Sequence, residues 1–409
     1  MFVQTCKVRK IINDPVHGFI TIDDELIFEI ISHPYYQRLR RIKQMALAYL
    51  VYPGAVHTRL HHSLGALHLM TRAIAELESK GIAITKEENQ AVKVAILLHD
   101  IGHGPFSHAL EHTLVDVHHE AISLLIMHRL NRQLSGKLNI AIEIFNDTYP
   151  KKFLHQLVSS QLDTDRLDYL ARDSFFTGVS EGVIGYDRII KMLTVVNDEL
   201  VVEEKGVHSI EKFLIARRLM YWQVYLHKTV LSSEMMLVKI LERAKYLTRQ
   251  GEILFATPAF QYFLSGEFDI DDFQQNDRCL DMFLKLDDSD IISSIKVWMS
   301  HSDLILSDLC SRLNDRRLFK VKFLTQDVED EVGKMKEEVS KRIKAKEVDL
   351  GYYFIQGETS NMAYSNGDER IKIAYKDGTL KEISQVENSI LSDGLLTAVK
   401  KYYICYLRD

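Results

Sequence analysis

The sequence HDIGHGPFSH, residues 99–108, places three histidines and an aspartate directly after the apolar run at residues 92–98. The run is typical of a buried helix, which ends where the polar residues begin. Imidazole and carboxylate groups at the end of a buried helix are the ligands that a catalytic metal needs. One His-Asp dipeptide is expected by chance among 17 histidines, so the interpretation depends on other residues that complete a site.

The composition is that of an ordinary globular chain of 409 residues, long enough for two domains or for one large domain with a smaller lobe. Hydrophobic residues make up 46% and charged residues 26% of the chain, which excludes a disordered polypeptide. The formal net charge of −6 argues against a nucleic-acid-binding protein, because such proteins usually present a basic face.

The cysteines and the apolar segments indicate in which cellular compartment the protein is expected. The cysteines are scattered without a CxxC pair, which argues against a zinc knuckle and a disulfide framework; they are Cys6, Cys279, Cys310 and Cys405. The first 15 residues contain no long apolar segment, and no stretch approaches the roughly 20 apolar residues that span a bilayer. We therefore expect a cytoplasmic protein with no membrane-spanning segment.

Hydrophobic periodicity and only six prolines predict a mostly α fold. One helix has an apolar stripe and ends near Gly81; the stripe consists of Leu60, Leu64, Leu67, Met70, Ile74 and Leu77. A core helix follows at residues 91–98. Further helices are predicted at residues 120–135, 153–174, 186–194, 209–247, 277–285 and 288–313. A strand pair is predicted near residues 194–204, with its turn at Asn197-Asp198.

The character of the sequence changes after about residue 320. Strands are predicted at residues 320–324, 352–356, 371–375 and 402–407, with an exposed charged helix at 327–346 and a turn at 376–378. We therefore divide the chain into a helical catalytic body, residues 1–320, and a small C-terminal α+β lobe, residues 321–409.

Two further segments supply residues that would complete a metal site with His99 and Asp100. The segment RLHHSLG, residues 59–65, contributes His62 off the apolar stripe of its helix, and the segment DTDRLDYLARD, residues 163–173, contributes Asp165. Two imidazoles and two carboxylates suit Mn, Fe, Co, Ni or Zn better than Ca, which prefers all-oxygen ligands. From the residues alone, His61 competes with His62, and Asp163 and Asp168 compete with Asp165.

In this order the three segments RLHHSLG, HDIGHGPFSHALEH and DTDRLDYLARD resemble the HD superfamily of metal-dependent phosphohydrolases. More narrowly they are similar to its deoxynucleoside triphosphate triphosphohydrolase branch, which includes the vertebrate enzyme with a sterile-alpha-motif domain. The similarity extends from about residue 13 to about residue 320 and implies an HD-domain helical bundle. It also implies a divalent transition metal, with Mg bound alongside the substrate, and the ligands His62, His99, Asp100 and Asp165.

The resemblance assigns roles around the metal as well. It implies that His108 is the general acid, with Glu111 and His119 behind it, and that His103 contacts phosphate. Basic residues at matching positions would hold the triphosphate: Arg59, Arg166 and Arg217. Four more would hold the sugar 3′-hydroxyl and crowd its 2′ carbon: Gln44, Tyr169, Asp173 and Tyr225. Where the family usually has Asp, this chain has Glu111, and Arg166 replaces a lysine.

The expected function is hydrolysis of dNTPs to deoxynucleoside and inorganic triphosphate, by attack of a metal-activated water at the α-phosphorus. Two alternatives stay open: an HD phosphohydrolase acting on a monophosphate, an alarmone, or a cyclic or phosphodiester substrate, and a nucleotide-binding regulator with little catalysis. The expected partners are a nucleotide and further copies of this chain in a dimer or tetramer, with no membrane and no nucleic acid.

The vertebrate relative is activated by nucleotides that bind between its subunits. This sequence retains only part of the residue pattern that the resemblance associates with that activation. Residues resembling a first activator pocket are present, namely Gln37, Arg40, Arg316 and Lys320, but Ser32 replaces an acid that reads guanine. Arg188 and Lys205 resemble a second pocket, where Glu203 replaces an arginine and would repel phosphate. Whether nucleotides activate the protein is left open by these residues.

Overall fold

The computed structural model describes residues 8–111, 113–324, 329–343, 347–361, 370–387 and 399–408. Its fold is mostly α, as the periodicity predicts. The helices of the first half are α1 Glu25–Ser32, α2 Pro34–Gln37, α3 Arg59–Ser79, α4 Lys86–Leu98, α5 His119–Gln133, α6 Asn139–Phe145, α7 Lys152–Val158 and α8 Thr164–Thr177.

The second half continues the helical body and adds the lobe. Its helices are α9 Tyr186–Met192, α10 Val207–Met220, α11 Lys228–Arg249, α12 Pro258–Leu264, α13 Ile270–Gln275, α14 Asp277–Phe283, α15 Asp288–Trp298, α16 Leu304–Asn314, α17 Glu329–Ile343 and α18 Glu347–Leu350. A π-helical turn, Tyr221–Tyr225, lies between α10 and α11.

In the described ranges, three small sheets accompany the helices. The strands are β1 Lys10–Asp14, β2 Gly18–Ile22, β3 Leu193–Val196, β4 Glu199–Glu203, β5 Lys320–Leu324, β6 Phe354–Asn361, β7 Lys372–Ala374, β8 Leu380–Glu382 and β9 Val399–Tyr406. β1 and β2 form an antiparallel hairpin, the second sheet has the order β3-β4-β7-β8, and the third has the order β5-β9-β6. β7 pairs in parallel with β4 of the helical body. The predicted boundary between residues 320 and 321 lies within β5 and stays a prediction.

Three predicted helices are interrupted, and a new N-cap explains each interruption. Residues 153–174 divide at Asp163, whose carboxylate accepts the N–H of Arg166. Residues 209–247 divide at His227, whose ring accepts the N–H of Thr229. Residues 288–313 divide at Asp303, which accepts from Leu306. Because a side-chain acceptor satisfies an unpaired helix N–H, the chain can stop one helix and start another there.

The predicted apolar stripe of α3 lies in the core, together with most of α4. The stripe residue Leu60 is 4% exposed, and the stripe residues Met70, Ile74 and Leu77 are fully buried. α4 begins with a capping box in which Thr85 and Glu88 accept each other's backbone N–H groups. It then ends in the run at residues 94–98, which is buried on all sides. Among the described residues, no helix has the length and apolarity needed to cross a membrane.

Close packing of α3 against α8 depends on a glycine. A Cβ on Gly65 would lie 2.0 Å from Oδ1 of Asp168 and 2.2 Å from Nη2 of Arg172. Both of those side chains are fully buried and paired with each other. Gly65 therefore lets the first turns of α3 approach the polar face of α8, which brings the segments RLHHSLG and DTDRLDYLARD together.

Gly65→Ala should destabilise the fold by about 2–4 kcal/mol, since the methyl group would push apart a buried ion pair. Gly333→Ala is the matched control, because Gly333 lies in exposed helix with open space around its Cα. This control should raise stability by about 0.5–1 kcal/mol. Urea unfolding followed by circular dichroism measures both, and equal stabilities of the two variants would contradict the packing argument.

Candidate metal centre and active site

The predicted ligands come from three helices that converge at one point. His62 lies in the first turn of α3, and His99 is the C-terminal cap of α4 with Asp100 directly after it. Asp165 lies in the first turn of α8. Helix termini leave room for side chains to project into the space between the helices, which explains why the site forms at these ends.

The four side chains meet at short distances. Nε2 of His62 lies 3.3 Å from Nε2 of His99 and 3.0 Å from Oδ1 of Asp165. Nε2 of His99 lies 3.4 Å from that Asp165 oxygen and 3.3 Å from Oδ1 of Asp100. Donor atoms bound about 2.1 Å from one ion lie at such separations. His62, His99 and Asp100 form a compact group of potential ligands, and Asp165 approaches both imidazoles.

Hydrogen bonds on the far sides of the imidazoles orient both rings. Nδ1 of His62 lies 2.8 Å from Oδ2 of Asp168, and Nδ1 of His99 lies 2.6 Å from the carbonyl oxygen of Ile96. When each Nδ1–H donates to its oxygen, both Nε2 lone pairs face the common centre. This arrangement is usual for metal-bound histidines.

The alternative ligands that the sequence left open, His61, Asp163 and Asp168, have other hydrogen-bond partners. Nδ1 of His61 accepts from the N–H of Thr58 and so belongs to the cap of α3. Asp163 accepts the Ser160 N–H at 2.8 Å and caps α8. Asp168 contacts the other nitrogen of His62. The structure therefore brings His62 and Asp165 to the centre and keeps the competing side chains out of it.

The charged groups at the centre shift one another's pKa values. Burial alone would lower the pKa of His62, but the Asp165 and Asp168 carboxylates outweigh it and raise that pKa to about 10. Burial alone would raise the pKa of Asp165, but the imidazoles of His62 and His99 outweigh burial and hold the pKa of this carboxyl below its usual range. Without a cation, therefore, a proton is retained between the imidazoles and Asp165.

The charge of the centre suits a divalent cation. Four carboxylates lie in this bonded cluster, namely Asp14, Asp100, Asp165 and Asp168, and two guanidinium groups, of Arg59 and Arg172, bind them. When both imidazoles are neutral, as metal ligands must be, two negative charges are left over in a largely buried region, where unpaired charge is costly. A divalent metal would balance them, and the nitrogen and oxygen donors suit a transition metal. These residues are suited to holding such an ion.

The residues assigned to phosphate contact and acid catalysis lie beside Asp100. Nε2 of His103 is 3.3 Å from Oδ1 of Asp100, and its ring stacks on that of His119 at a centroid distance of 3.8 Å. Nδ1 of His119 is 3.0 Å from Oε1 of Glu111. Burial, with Arg59 nearby, lowers the pKa of His103 to about 3. The side chain of His108 lies outside the described residues, so its role as general acid stays a prediction.

The three arginines predicted to bind triphosphate differ in their surroundings. Arg59 is 5% exposed and binds Oδ2 of Asp100 at 2.6 Å and Oγ of Ser107 at 2.7 Å. Arg166 forms an ion pair with Asp163, the N-cap residue of its helix. Arg217 donates to the amide oxygen of Gln161 at 3.3 Å. Arg59 is thus bound to a candidate ligand of the metal, a contact that the sequence did not predict.

The residues predicted to bind the sugar form a connected group. The hydroxyl of Tyr225 donates to Oδ2 of Asp173 at 2.6 Å, and the rings of Tyr169 and Tyr225 are 6.4 Å apart, edge to face. The N–H of Gln44 donates to the carbonyl of His57, and its buried side-chain oxygen has no hydrogen-bond partner among the residues that the structure describes. Burial, and then Asp173, raise the pKa of Tyr225 well above its usual value, so its hydroxyl stays protonated.

Sequence reasoning missed His57 altogether, and it considered Asp168 only as a competing ligand. His57 is 1% exposed, and its Nε2 lies 2.8 Å from Oδ1 of Asp173. Asp168 acts through His62 rather than as a ligand. Its spacing of three residues from Asp165 places both carboxylates on one helix face, a signal that was available. For His57 the sequence offers no comparable signal.

Residues compared with activator pockets have intramolecular partners. The amide of Gln37 donates to the carbonyl of Ile31 and accepts from Nε of Arg40 at 2.7 Å. Glu203 pairs with Nζ of Lys80 at 2.7 Å. Nη2 of Arg188 donates to the carbonyl of Lys205 at 3.0 Å. Glu203 therefore has a cation beside it, which reduces the repulsion expected from the sequence.

Two protein families match this chain. The HD domain matches residues 59–173, which contain all four predicted ligands, and the HD associated region matches residues 184–253. A solved structure of a phosphohydrolase from Bacteroides thetaiotaomicron has 52% sequence identity and a TM-score of 0.94, covering 98% of this chain and 100% of that chain.

Curated relatives extend the similarity. The uncharacterized protein YwfO of Bacillus subtilis is 34% identical over 391 residues, which cover 92% of this chain and 87% of that protein. The deoxynucleoside triphosphate triphosphohydrolase SAMHD1 of Homo sapiens is 30% identical over 267 residues, 54% of this chain and 42% of that protein. The similarity to the human enzyme thus covers only part of either protein.

Metal binding should release protons at neutral pH. Since the pKa of His62 is raised, its imidazole holds a proton that a metal must displace from Nε2. The apparent affinity for Mn²⁺ should rise as the pH increases from about 6 to about 8. The rise should be up to about tenfold per pH unit for each proton displaced. Calorimetric titration in two buffers of different ionisation enthalpy measures this release. His62→Ala should release fewer protons because it lacks one of the two imidazoles, whereas a pH-independent affinity of the unmodified protein would contradict the geometry.

Proposed function

The chain belongs to the HD superfamily of phosphohydrolases, in the branch similar to deoxynucleoside triphosphate triphosphohydrolases, and from this premise we propose that it converts dNTPs to deoxynucleoside and inorganic triphosphate. In this reaction a water oxygen bonds to the α-phosphorus, the bond from phosphorus to the 5′ oxygen breaks, and that oxygen takes a proton. The site must therefore hold three parts of one substrate: phosphates, leaving oxygen and sugar.

One face of α8 carries the proposal. Asp165, Tyr169 and Asp173 are spaced four residues apart, so they project from the same side of the helix. Asp165 approaches the metal centre. Oδ2 of Asp173 accepts a hydrogen bond from the hydroxyl of Tyr225 at 2.6 Å. A rise of about 1.5 Å per residue separates the two ends of this face by about 12 Å. A nucleotide lying along it would place its α-phosphate at Asp165 and its sugar at Asp173.

The chain's own residues supply the remaining steps. A divalent metal, when bound, lowers the pKa of a water molecule and polarises a phosphoryl oxygen. Glu111 orients His119 through the bond at Nδ1, which leaves Nε2 as the nitrogen that exchanges a proton with substrate. His103, with its lowered pKa, stays neutral and can contact phosphate as a hydrogen-bonding group. The 5′ oxygen would take its proton from His119 or His108.

A second candidate function has a specific observation in its favour. Arg59 and Arg166 are both engaged with carboxylates, which leaves Arg217 as the phosphate-binding arginine whose contact is a neutral amide. A site with fewer available cations suits a substrate with fewer phosphates, such as a nucleoside monophosphate. The alternative is therefore an HD phosphohydrolase that acts on another nucleotide, and product analysis separates the two.

The reaction is tested by incubating the protein with each dNTP, each NTP and the monophosphates, in the presence of Mn²⁺, Fe²⁺ or Mg²⁺. Inorganic triphosphate should form from dNTPs, and Asp165→Ala should reduce its rate at least about 10³-fold. Asp271→Ala, an exposed first-turn aspartate of α13, is the matched control and should retain full activity. Pyrophosphate or phosphate as the sole product would contradict the proposal.

Sugar selection is tested at Tyr225. Tyr225→Ala removes the ring that would crowd the 2′ carbon, so the ratio of kcat/KM for dNTP over NTP should fall about tenfold or more. Tyr225→Phe keeps the ring but removes the hydroxyl that donates to Asp173. It should lower kcat/KM for dNTPs while leaving the ratio within about threefold. An unchanged ratio in Tyr225→Ala would exclude this residue from sugar selection.

A further inference from the structure

The β1–β2 hairpin places its turn against the face of α8 that borders the metal centre. Oδ1 of Asp14 accepts the N–H groups of Val16 and His17, each at 2.9 Å, and Gly18 follows at φ +75°. These bonds close the turn, because an aspartate that accepts from the next residues along the chain mimics a backbone turn. They also fix the direction of the His17 side chain.

The same aspartate binds a buried arginine. Oδ2 of Asp14 lies 2.8 Å from Nη1 of Arg172, and Oδ1 lies 3.2 Å from Nη2. On its other edge the guanidinium donates to both oxygens of Asp168, at 2.9 and 3.0 Å. The side chains of Arg172 and Asp168 have no solvent exposure, and that of Asp14 has 3%. Both forks of the arginine are thus occupied by carboxylates.

Asp168 connects this pair to the metal centre. Its Oδ1 lies 2.6 Å from Nε2 of His17, and its Oδ2 lies 2.8 Å from Nδ1 of His62. The ring of His17 also stacks on that of His68, with centroids 5.4 Å apart. Each oxygen of Asp168 therefore has two partners, and the carboxylate cannot rotate away from His62 without breaking bonds to the hairpin.

We propose that Asp14 and His17 are positioning residues of the metal centre: they hold Asp168 where it fixes the tautomer and the orientation of His62. The hairpin then contributes to metal affinity, although neither residue belongs to the group of candidate ligands. The inference rests on the metal centre of the proposed function but not on its substrate. It goes beyond the family match, since residues 10–22 lie outside the matched ranges.

Three substitutions test it on the full-length protein, freed of metal and titrated with Mn²⁺ against a fluorescent chelator, without nucleotide. His17→Ala removes the hydrogen bond to Asp168 and should raise the dissociation constant for Mn²⁺ about 10- to 100-fold. His17→Gln supplies an amide N–H near the position of Nε2 and should bind within about threefold of the unmodified protein. Asp14→Asn keeps the acceptor that closes the turn but loses the ionic pair with Arg172, and should weaken binding about tenfold.

A purely structural role of the hairpin makes a different prediction. It would lower the Tm of the metal-free and metal-bound proteins equally and leave the dissociation constant unchanged, so both Tm values are measured. Thr21→Ala, at an exposed position of β2, is the control and should change neither the Tm values nor the dissociation constant. Unchanged metal binding in both His17→Ala and Asp14→Asn would overturn the proposal, as would equal weakening in His17→Ala and His17→Gln. Since no nucleotide is used, failure to hydrolyse dNTPs leaves this result interpretable.

Discussion

The hydrogen bond between Asp168 and His62 links the fold to the chemistry of the site. It joins α8 to α3 at full burial, and it directs Nε2 of His62 toward His99 and Asp165. The bond requires close approach of the two helices, which Gly65 permits. A buried carboxylate is stable only with its acceptor sites filled, so the surrounding donors are as necessary as the ligands.

The same constraint explains why the site collects charge from distant parts of the chain. Asp14, near one end of the sequence, and Arg172, on α8, neutralise each other around Asp168. Arg59 does the same for Asp100. Together the two guanidiniums offset two of the four carboxylate charges, and a divalent metal bound by neutral imidazoles would balance the remainder. The geometry is thus suited both to holding a cation and to keeping protons in its absence.

Much of this molecule could be predicted from the sequence. The apolar stripe of α3, the core run of α4 and the strand pair β3–β4 follow from periodicity, since burial on one face leaves a direct imprint on residue order. The interruptions at Asp163, His227 and Asp303 were missed because each break is short, while a single capping side chain decides where a helix restarts. The β1–β2 hairpin was missed as well.

The sequence by itself determined the residue types of the centre, the mostly α class and the family, because ligand chemistry and hydrophobic period are local properties. It could not separate His61 from His62, or Asp165 from its neighbours, without a resemblance to a family. Only the tertiary structure decided which side chains meet, that Asp168 orients a ligand, that Arg59 binds Asp100 and that the hairpin reaches the site. Those outcomes depend on how helices distant in sequence pack, and short hydrogen bonds between them leave no periodic signal in the chain.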